Sequence, residues 1–453
     1  MSAASVMSVM SATSVTPSRA SAAPTGARVA APLAGVRIIE WNGSMSASFC
    51  ARLLSDLGAN VLKLEPPGAG DPLRRAGPFA PNASYGDDAA LFAYLNHGKD
   101  SATLDPSCPT GAALLNRLVE SADLLITSAH ASRLVELGLD GDTLRKIQPS
   151  LVTLAVTPFG TLPARGASTA QSNADTLAAF TDFTLTHHAG YAFHQARPVH
   201  APREQPPVAC ADREVALATG VAAANAALWG LLEAQVNGEG RSIECAELDV
   251  IAHLLIEPVA DYGRGERTFS RRREELQGTE VAGGLIWLLP CKDGFVMISP
   301  REEHQWERWV ELLGNPPWSR DAALCGERSA RNENWMILQD EMSKWTREHT
   351  RADVFERAQA ARVACFPVSG ARDLLENAQL NARRFFDSWE GTRSAPLSMP
   401  GLPFSLRTQS GAELPRARSV VSPRLGSANR AVFEGRLGLS PGEMETLRQQ
   451  GVV

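Results

Sequence analysis

No two of the seven cysteines stand at a metal-ligand or redox spacing. Cys50, Cys108, Cys210, Cys245, Cys291, Cys325 and Cys365 are spread singly. That excludes a C-x-x-C centre, a Cys/His zinc site and, with an odd count, a fully paired disulfide framework. Free thiols in a reducing compartment fit the pattern, so a cytoplasmic location is expected. No apolar run approaches the ~18 residues of a membrane span. There is no basic excess: 44 Lys and Arg face 50 Asp and Glu, a net charge of −6. That argues against a protein that binds nucleic acid by neutralising phosphates. Residues 1–32 contain no Asp or Glu and are rich in Ser and Ala. They also lack the apolar block of a secretory signal and read as a disordered extension.

The chain has 453 residues, enough for two or three domains, and is 44% hydrophobic and 21% charged. Val36 to Trp41 reads as a buried strand, Ala47 to Leu57 as a helix closed by Gly58, and Asn60 to Glu65 as a second strand. Short links between them imply a parallel pair with a right-handed crossover. Strands at 102–104, 123–127 and 151–156 alternate with helices at 110–121 and 142–147, the pattern of a doubly wound, Rossmann-like α/β domain. The dinucleotide fingerprint is missing, because Asn42-Gly43-Ser44-Met45-Ser46-Ala47-Ser48 follows the first strand instead of G-x-G-x-x-G. A nicotinamide cofactor is therefore not expected.

An Ala-rich helix runs from Glu214 to Ala234, with a strand at 241–245 and a helix at 248–256 after it. Residues 284–290 and 294–298 flank the turn Cys291-Lys292-Asp293 and read as a hairpin. Helices at 303–313, 332–346 and 351–361 complete a smaller α+β region. Phe366-Pro367-Val368 suggests a return to the α/β layer, and Ser440-Pro441 opens a last helix. The expected organisation is an extension at 1–32, the first part of the large domain at 33–247, a linker and small domain at 248–350, and a return to the large domain at 351–453.

No Gly-x-Ser-x-Gly elbow or ordered Ser/His/Asp set is evident. His187, His188 and His194 are the densest histidine cluster, without acidic or cysteine companions at ligand spacing, so no metal site is expected. Asp175 and Asp212 each stand before a helical stretch. Either can be an N-cap; for Asp212 the acceptor would bind the amide of Glu214 or Val215. A carboxylate at a helix start can also be a nucleophile, because partial positive charge and free N–H groups keep it ionised and can stabilise an oxyanion.

From Leu33 to Val453 the chain resembles a class III CoA-transferase (the formyl-CoA transferase and carnitine CoA-transferase family). The resemblance rests on residues 33–40, on the stretch from Ala51 to Pro67, on Gly70-Asp71-Pro72-Leu73-Arg74, on Val156 to Gly160 with Asp175, on Gly238 to Ile243 and on Gly438 to Glu443. It implies an interlocked, ring-like homodimer of a large α/β and a small domain, with coenzyme A as co-substrate and no permanently bound cofactor. It implies that Asp212 is the nucleophile, passing through an aspartyl anhydride and an aspartyl-CoA thioester between an acyl-CoA donor and a carboxylic acid acceptor. Ala174 stands where the family's racemases have a His, which argues against racemisation.

The chain also departs from the family pattern. Ser46-Ala47-Ser48 replaces Ala-Gly-Pro, and Ser128 to Ser132 replaces the Asn-Phe-Arg-Pro-Gly loop that helps hold CoA. Arg74, Arg75, Lys99, His130 and Arg133 are the remaining candidates for CoA. Gly283 and Gly284 represent the loop that closes on the acyl-aspartate. Asp175, His187, His188 and Tyr191 are candidates for the acceptor pocket. Two further readings stay open: an intramolecular CoA-transferase acting between the carboxyls of one diacid, and a non-catalytic acyl-CoA-binding relative.

Overall fold

The computed structural model describes residues 31–79, 89–160, 181–195, 206–207, 213–264, 286–389, 397–407, 409 and 422–453. Its centre is a six-stranded sheet built from β1 (Arg37–Trp41), β2 (Asn60–Glu65), β3 (Asp100–Thr103), β4 (Leu124–Thr127), β5 (Val152–Thr157) and β6 (Ser242–Ala246). The spatial order is β3-β2-β1-β4-β5-β6, and every pairing is parallel. Parallel neighbours need crossovers, and helices supply them on both faces. α1 (Met45–Asp56), α2 (Ala90–Asn96), α3 (Pro109–Val119), α4 (Ala131–Glu136) and α5 (Gly141–Ile147) lie between the strands up to β5. α6 (Asp182–His188), α7 (Tyr191–Gln195) and α8 (Glu214–Asn237) lie between β5 and β6, and α9 (Glu247–His253) follows β6. The order reverses between β1 and β4, the kind of switch point at which open parallel α/β sheets commonly bind ligands.

Alternation along the strands divides the core. Ile38, Val61, Ile126 and Val156 face α1 and α8. Ile39, Leu62 and Leu125 face α3 and the C-terminal residues Val432, Phe433, Met444, Leu447, Val452 and Val453. The backbone ties the chain end to the sheet: Asp105 N–H donates to Val452 O at 2.9 Å and Ala428 N–H to Ser101 O at 2.8 Å.

The expected absence of a long apolar run needs correction at α8. This 24-residue helix holds an 18-residue stretch of mean hydropathy 1.7, long and apolar enough to cross a membrane by length and composition, and 44% of that stretch is buried in the fold. Small residues explain the packing. A Cβ on Gly220 would lie 2.8 Å from the Phe49 ring and 3.0 Å from Ser46 O, so only glycine lets α8 lie this close to α1. Val221, Trp229, Leu232 and Val236 on its other side are exposed.

A second, antiparallel sheet contains β7 (Trp287–Cys291), β8 (Gly294–Ile298) and β9 (Cys365–Pro367). The hairpin falls at the residues expected. The strand at 365–367 does not return to the parallel layer; Ile298 pairs with Cys365 and Val296 with Pro367. Its one buried side, Cys365, joins a core of Trp287, Trp309, Leu338, Met342 and Val354, so the small sheet claims it.

Candidate active site

Charges are buried under the C-terminal ends of β1 and β2. Glu40, Lys63, Glu65, Asp71, Arg74 and Lys99 are all buried, three acids against three bases. Lys63 Nζ lies 2.6 Å from Glu40 Oε1 and 2.7 Å from Asp71 Oδ2. Lys99 Nζ donates to Glu40 Oε2 at 2.7 Å, to Ser48 O at 2.9 Å and to Asn96 Oδ1 at 2.8 Å. Arg74 grips Glu65 with two bonds of 2.7 Å, donates to Pro423 O at 3.0 Å and lies 3.9 Å over the Phe92 ring.

Burial works against each charge, and the partners decide the outcome. Burial alone would raise the Glu40 carboxyl, but Lys63 and Lys99 hold it at about 2. Burial is outweighed at Lys63 by Glu40 and Asp71, which keep its pKa above the ordinary lysine value. At Lys99 burial wins and brings it down to about 8. A Cβ on Gly43 would lie 2.7 Å from Glu40 Oε1, so the cluster presses directly on the loop leaving β1.

Above this floor several helices begin. Ser44 caps α1 by accepting from Ala47 N–H at 3.3 Å, and its own N–H donates to Ser128 Oγ at 2.8 Å, joining the loops after β1 and β4. α8 begins beside it. Its N-cap is Arg213, in the left-handed region at φ 79° with no side-chain capping bond, and Arg213 Nη1 lies 3.8 Å from Met45 Sδ. The Ala216 N–H in the first turn of α8 donates to Asp182 Oδ1 at 2.8 Å. Glu247, first residue of α9, accepts from Ser46 Oγ. Burial raises the Glu247 carboxyl, and the charge of Asp182 raises it further against the bond from Ser46.

The expected site residues fall into three groups. Asp212, Asp175, Gly283 and Gly284 lie outside the described residues. His187, His188 and Tyr191 lie on the α6–α7 hairpin, which packs on α8 and α9. His187 Nδ1 is 2.8 Å from Phe183 O, His188 meets Phe159 edge-on at 5.9 Å, and Tyr191 flanks a small core of Leu185, Val215 and Ile251. Of the five cations, Arg74 and Lys99 are buried in ion pairs with Glu65 and Glu40. Arg75 is exposed and donates to Ala69 O. His130 caps α4, with Nδ1 2.9 Å from Ser132 Oγ, and half-exposed Arg133 pairs with Glu136 at 2.8 Å.

Sequence reasoning missed Glu40, Asp182 and Glu247. Charged residues inside buried strands, such as Glu40, Lys63 and Glu65, are a usable signal, because in-strand charges must pair. Asp182 and Glu247 carry none beyond their place at a helix start. Among the described residues no group of three His, Cys, Asp or Glu side chains could hold a metal ion.

Fold and site together give a parallel α/β sheet with a buried charge network at the C-terminal ends of β1 and β2, beside the first turns of α1, α8 and α9. Residues 33–429 match the profile of CoA-transferase family III. The chain belongs to that family and is a CoA-transferase, with CoA thioesters as substrates. It is 29% identical to the succinyl-CoA:(R)-benzylsuccinate CoA-transferase subunit BbsE of Thauera aromatica, over 92% of this chain and 97% of that protein. It is 27% identical to the succinate–glutarate CoA-transferase of Agrobacterium fabrum, over 78% and 84%. A CAIB/BAIF family protein from Brucella suis shares the fold, with a TM-score of 0.76, 24% identity, and coverage of 90% of this chain and 100% of that one.

Proposed function

We propose that the enzyme moves CoA from an acyl-CoA thioester to a carboxylic acid, with Asp212 as nucleophile. The supporting observation is at the start of α8. Asp212 immediately precedes Arg213, the N-cap, while an amide of the first turn is already bonded to Asp182. The third amide of α8 is thus capped by a carboxylate from another helix, and the helix start does not depend on Asp212 for that bond.

In this reading an Asp212 oxygen attacks the thioester carbonyl and CoA thiolate leaves, giving an acyl-aspartyl anhydride. The thiolate attacks the aspartyl carbonyl, which releases the donor acid and forms an aspartyl-CoA thioester. The acceptor carboxylate then attacks that thioester and expels CoA thiolate, giving an acceptor–aspartyl anhydride; the thiolate attacks the acceptor acyl carbon and the Asp212 carboxylate leaves. Succinyl-CoA is the donor to test first, because the names of several relatives specify it. Arg75, His130 and Arg133 are the cations left for the phosphates of CoA, and the α6–α7 hairpin faces the acceptor. Six described cysteines are free thiols, which accords with a cytoplasmic enzyme.

The functional unit is a homodimer. Trp229, Leu232, Val236, Leu228 and Ile243 line an open groove of ≈ 940 Å³ along α8, an apolar surface that a second copy would cover. The test of the chemistry is isolation of the protein after incubation with succinyl-CoA and hydroxylamine. A hydroxamate on Asp212 supports the reading; a normally folded Asp212→Ala enzyme with full activity sinks it.

A further inference from the structure

The chain that leaves the small sheet after β9 returns toward the parallel layer with little apolar support. Its helices Ala371–Leu375 and Ala378–Ala382 contain no buried residue, and Leu374 and Leu375 are exposed. β10 (Phe386–Trp389) and β11 (Leu397–Pro400) form an antiparallel sheet of two strands, an arrangement that is marginally stable by itself. Arginines hold this stretch at both ends. Near β9, Arg351 Nη1 donates to Asp373 Oδ2 at 3.0 Å and to Val368 O at 2.7 Å, and Nη2 donates to Asp373 Oδ1 at 3.2 Å. Asp373 also accepts from Gly370 N–H at 2.7 Å. At the far end, Arg52 Nη2 donates to Pro400 O at 3.1 Å.

We infer that residues 371–389 and 397–401 act as a strap that unpins locally at Arg52, with the parallel layer and the small sheet both still folded. The two sides of that pin are unequally fixed. Arg52 is buried in α1, its Nε lies 3.2 Å from Asp56 Oδ2, and its guanidinium lies 4.1 Å from the Tyr94 ring. Asp56 is held in turn, 2.9 Å from His97 Nε2. Pro400 is exposed and belongs to the two-stranded sheet. Arg52 therefore stays with the parallel layer, and the strap is the part that leaves. Segments with few buried apolar contacts open at a lower free energy than the core. The bidentate grip on Asp373 keeps the other end attached, so release at Pro400 lengthens the tether between the two sheets. The strap is independent of which residue carries the acyl group.

The test is amide hydrogen exchange read by mass spectrometry on the full-length enzyme, wild type and Arg52→Lys, at several urea concentrations below the unfolding transition. In the wild type, peptides of β10 and β11 are expected to exchange through a local opening that urea hardly changes, and peptides of β1, β4 and β5 through the urea-sensitive global route. Arg52→Lys keeps a cation beside Asp56 but loses the planar fork that reaches Pro400. It is expected to speed exchange at Gly401 N–H, which donates to Phe385 O at 2.9 Å, and at its β10–β11 neighbours. The rise should be on the order of 10–100-fold, the span for losing one hydrogen bond to a charged group, and larger than in β1, β4 and β5. Unchanged rates in Arg52→Lys, or a rise no larger at β10–β11 than in the parallel layer, overturns the inference. A wild-type strap that shares the urea dependence of the parallel layer also overturns it, and that comparison decides the matter alone where Arg52→Lys does not fold.

Discussion

Replacing Glu40 by Gln removes one charge from the buried cluster without changing its volume. Three acids balance three bases there, and Glu40 alone bridges two lysines, at 2.6 Å and 2.7 Å. Removing one partner of a buried pair typically costs about 3–5 kcal/mol, because the remaining charge is left uncompensated. The titration of Glu40 gives a second figure. Its carboxyl is held at about 2 instead of the ordinary 4.5, a gap worth about 3 kcal/mol at neutral pH. The folded pKa is depressed, so this stability is present above pH 4.5 and is lost as pH falls through 2. An upper limit comes from Lys99, already down at about 8: a lysine stripped of its partner gives up its proton at pH 7, which caps the loss at about 5 kcal/mol. Urea unfolding followed by circular dichroism at pH 7 should therefore show Glu40→Gln destabilised by about 3–5 kcal/mol. Between pH 4.5 and 3 the wild type should lose ground on the variant. A variant within 1 kcal/mol of wild type at pH 7, or with an unchanged gap at low pH, refutes the reasoning.

Other outcomes follow from the same geometry. Arg74→Met leaves Glu65 buried and unpaired, and should lower stability by about 3–5 kcal/mol without raising KM for CoA thioesters; Arg133→Ala should raise that KM with stability nearly unchanged, both read by kinetics and urea titration. Gly220→Val places a side chain against Phe49 and Ser46 O. It should cost about 1–3 kcal/mol through overpacking and lower kcat, because α1 must move relative to α8. Leu232→Glu puts a charge into the open apolar face of α8 and should shift the protein to monomer in light scattering.

The parallel layer is legible in the sequence because its signals are local. β1, α1 and β2 lie at 37–41, 45–56 and 60–65, within a few residues of the spans that apolar periodicity and Gly58 indicate. The hairpin at 287–298 is marked by its turn, and the last helix by Ser440, which forms a capping box with Glu443. What the sequence hides is long-range. Phe366-Pro367-Val368 reads as a return to the α/β layer, and only its pairing with β8 assigns Cys365–Pro367 to the small sheet. Arg74 and Lys99 look like ligand cations because nothing local shows that Glu65 and Glu40 meet them. His187, His188 and Tyr191 read as acceptor-pocket candidates; what the sequence does not show is that residues 182–195 form two short helices whose first residue, Asp182, holds the start of α8 from 34 positions away. The bonds of Asp182 and Glu247 to other helices become visible only when helices distant in sequence are set side by side.

The most direct measurement is mass spectrometry of the enzyme after incubation with succinyl-CoA and hydroxylamine. The account predicts one hydroxamate, on the peptide containing Asp212, absent from Asp212→Ala together with turnover. A labelled carboxylate elsewhere, with Asp212→Ala still active, would contradict it.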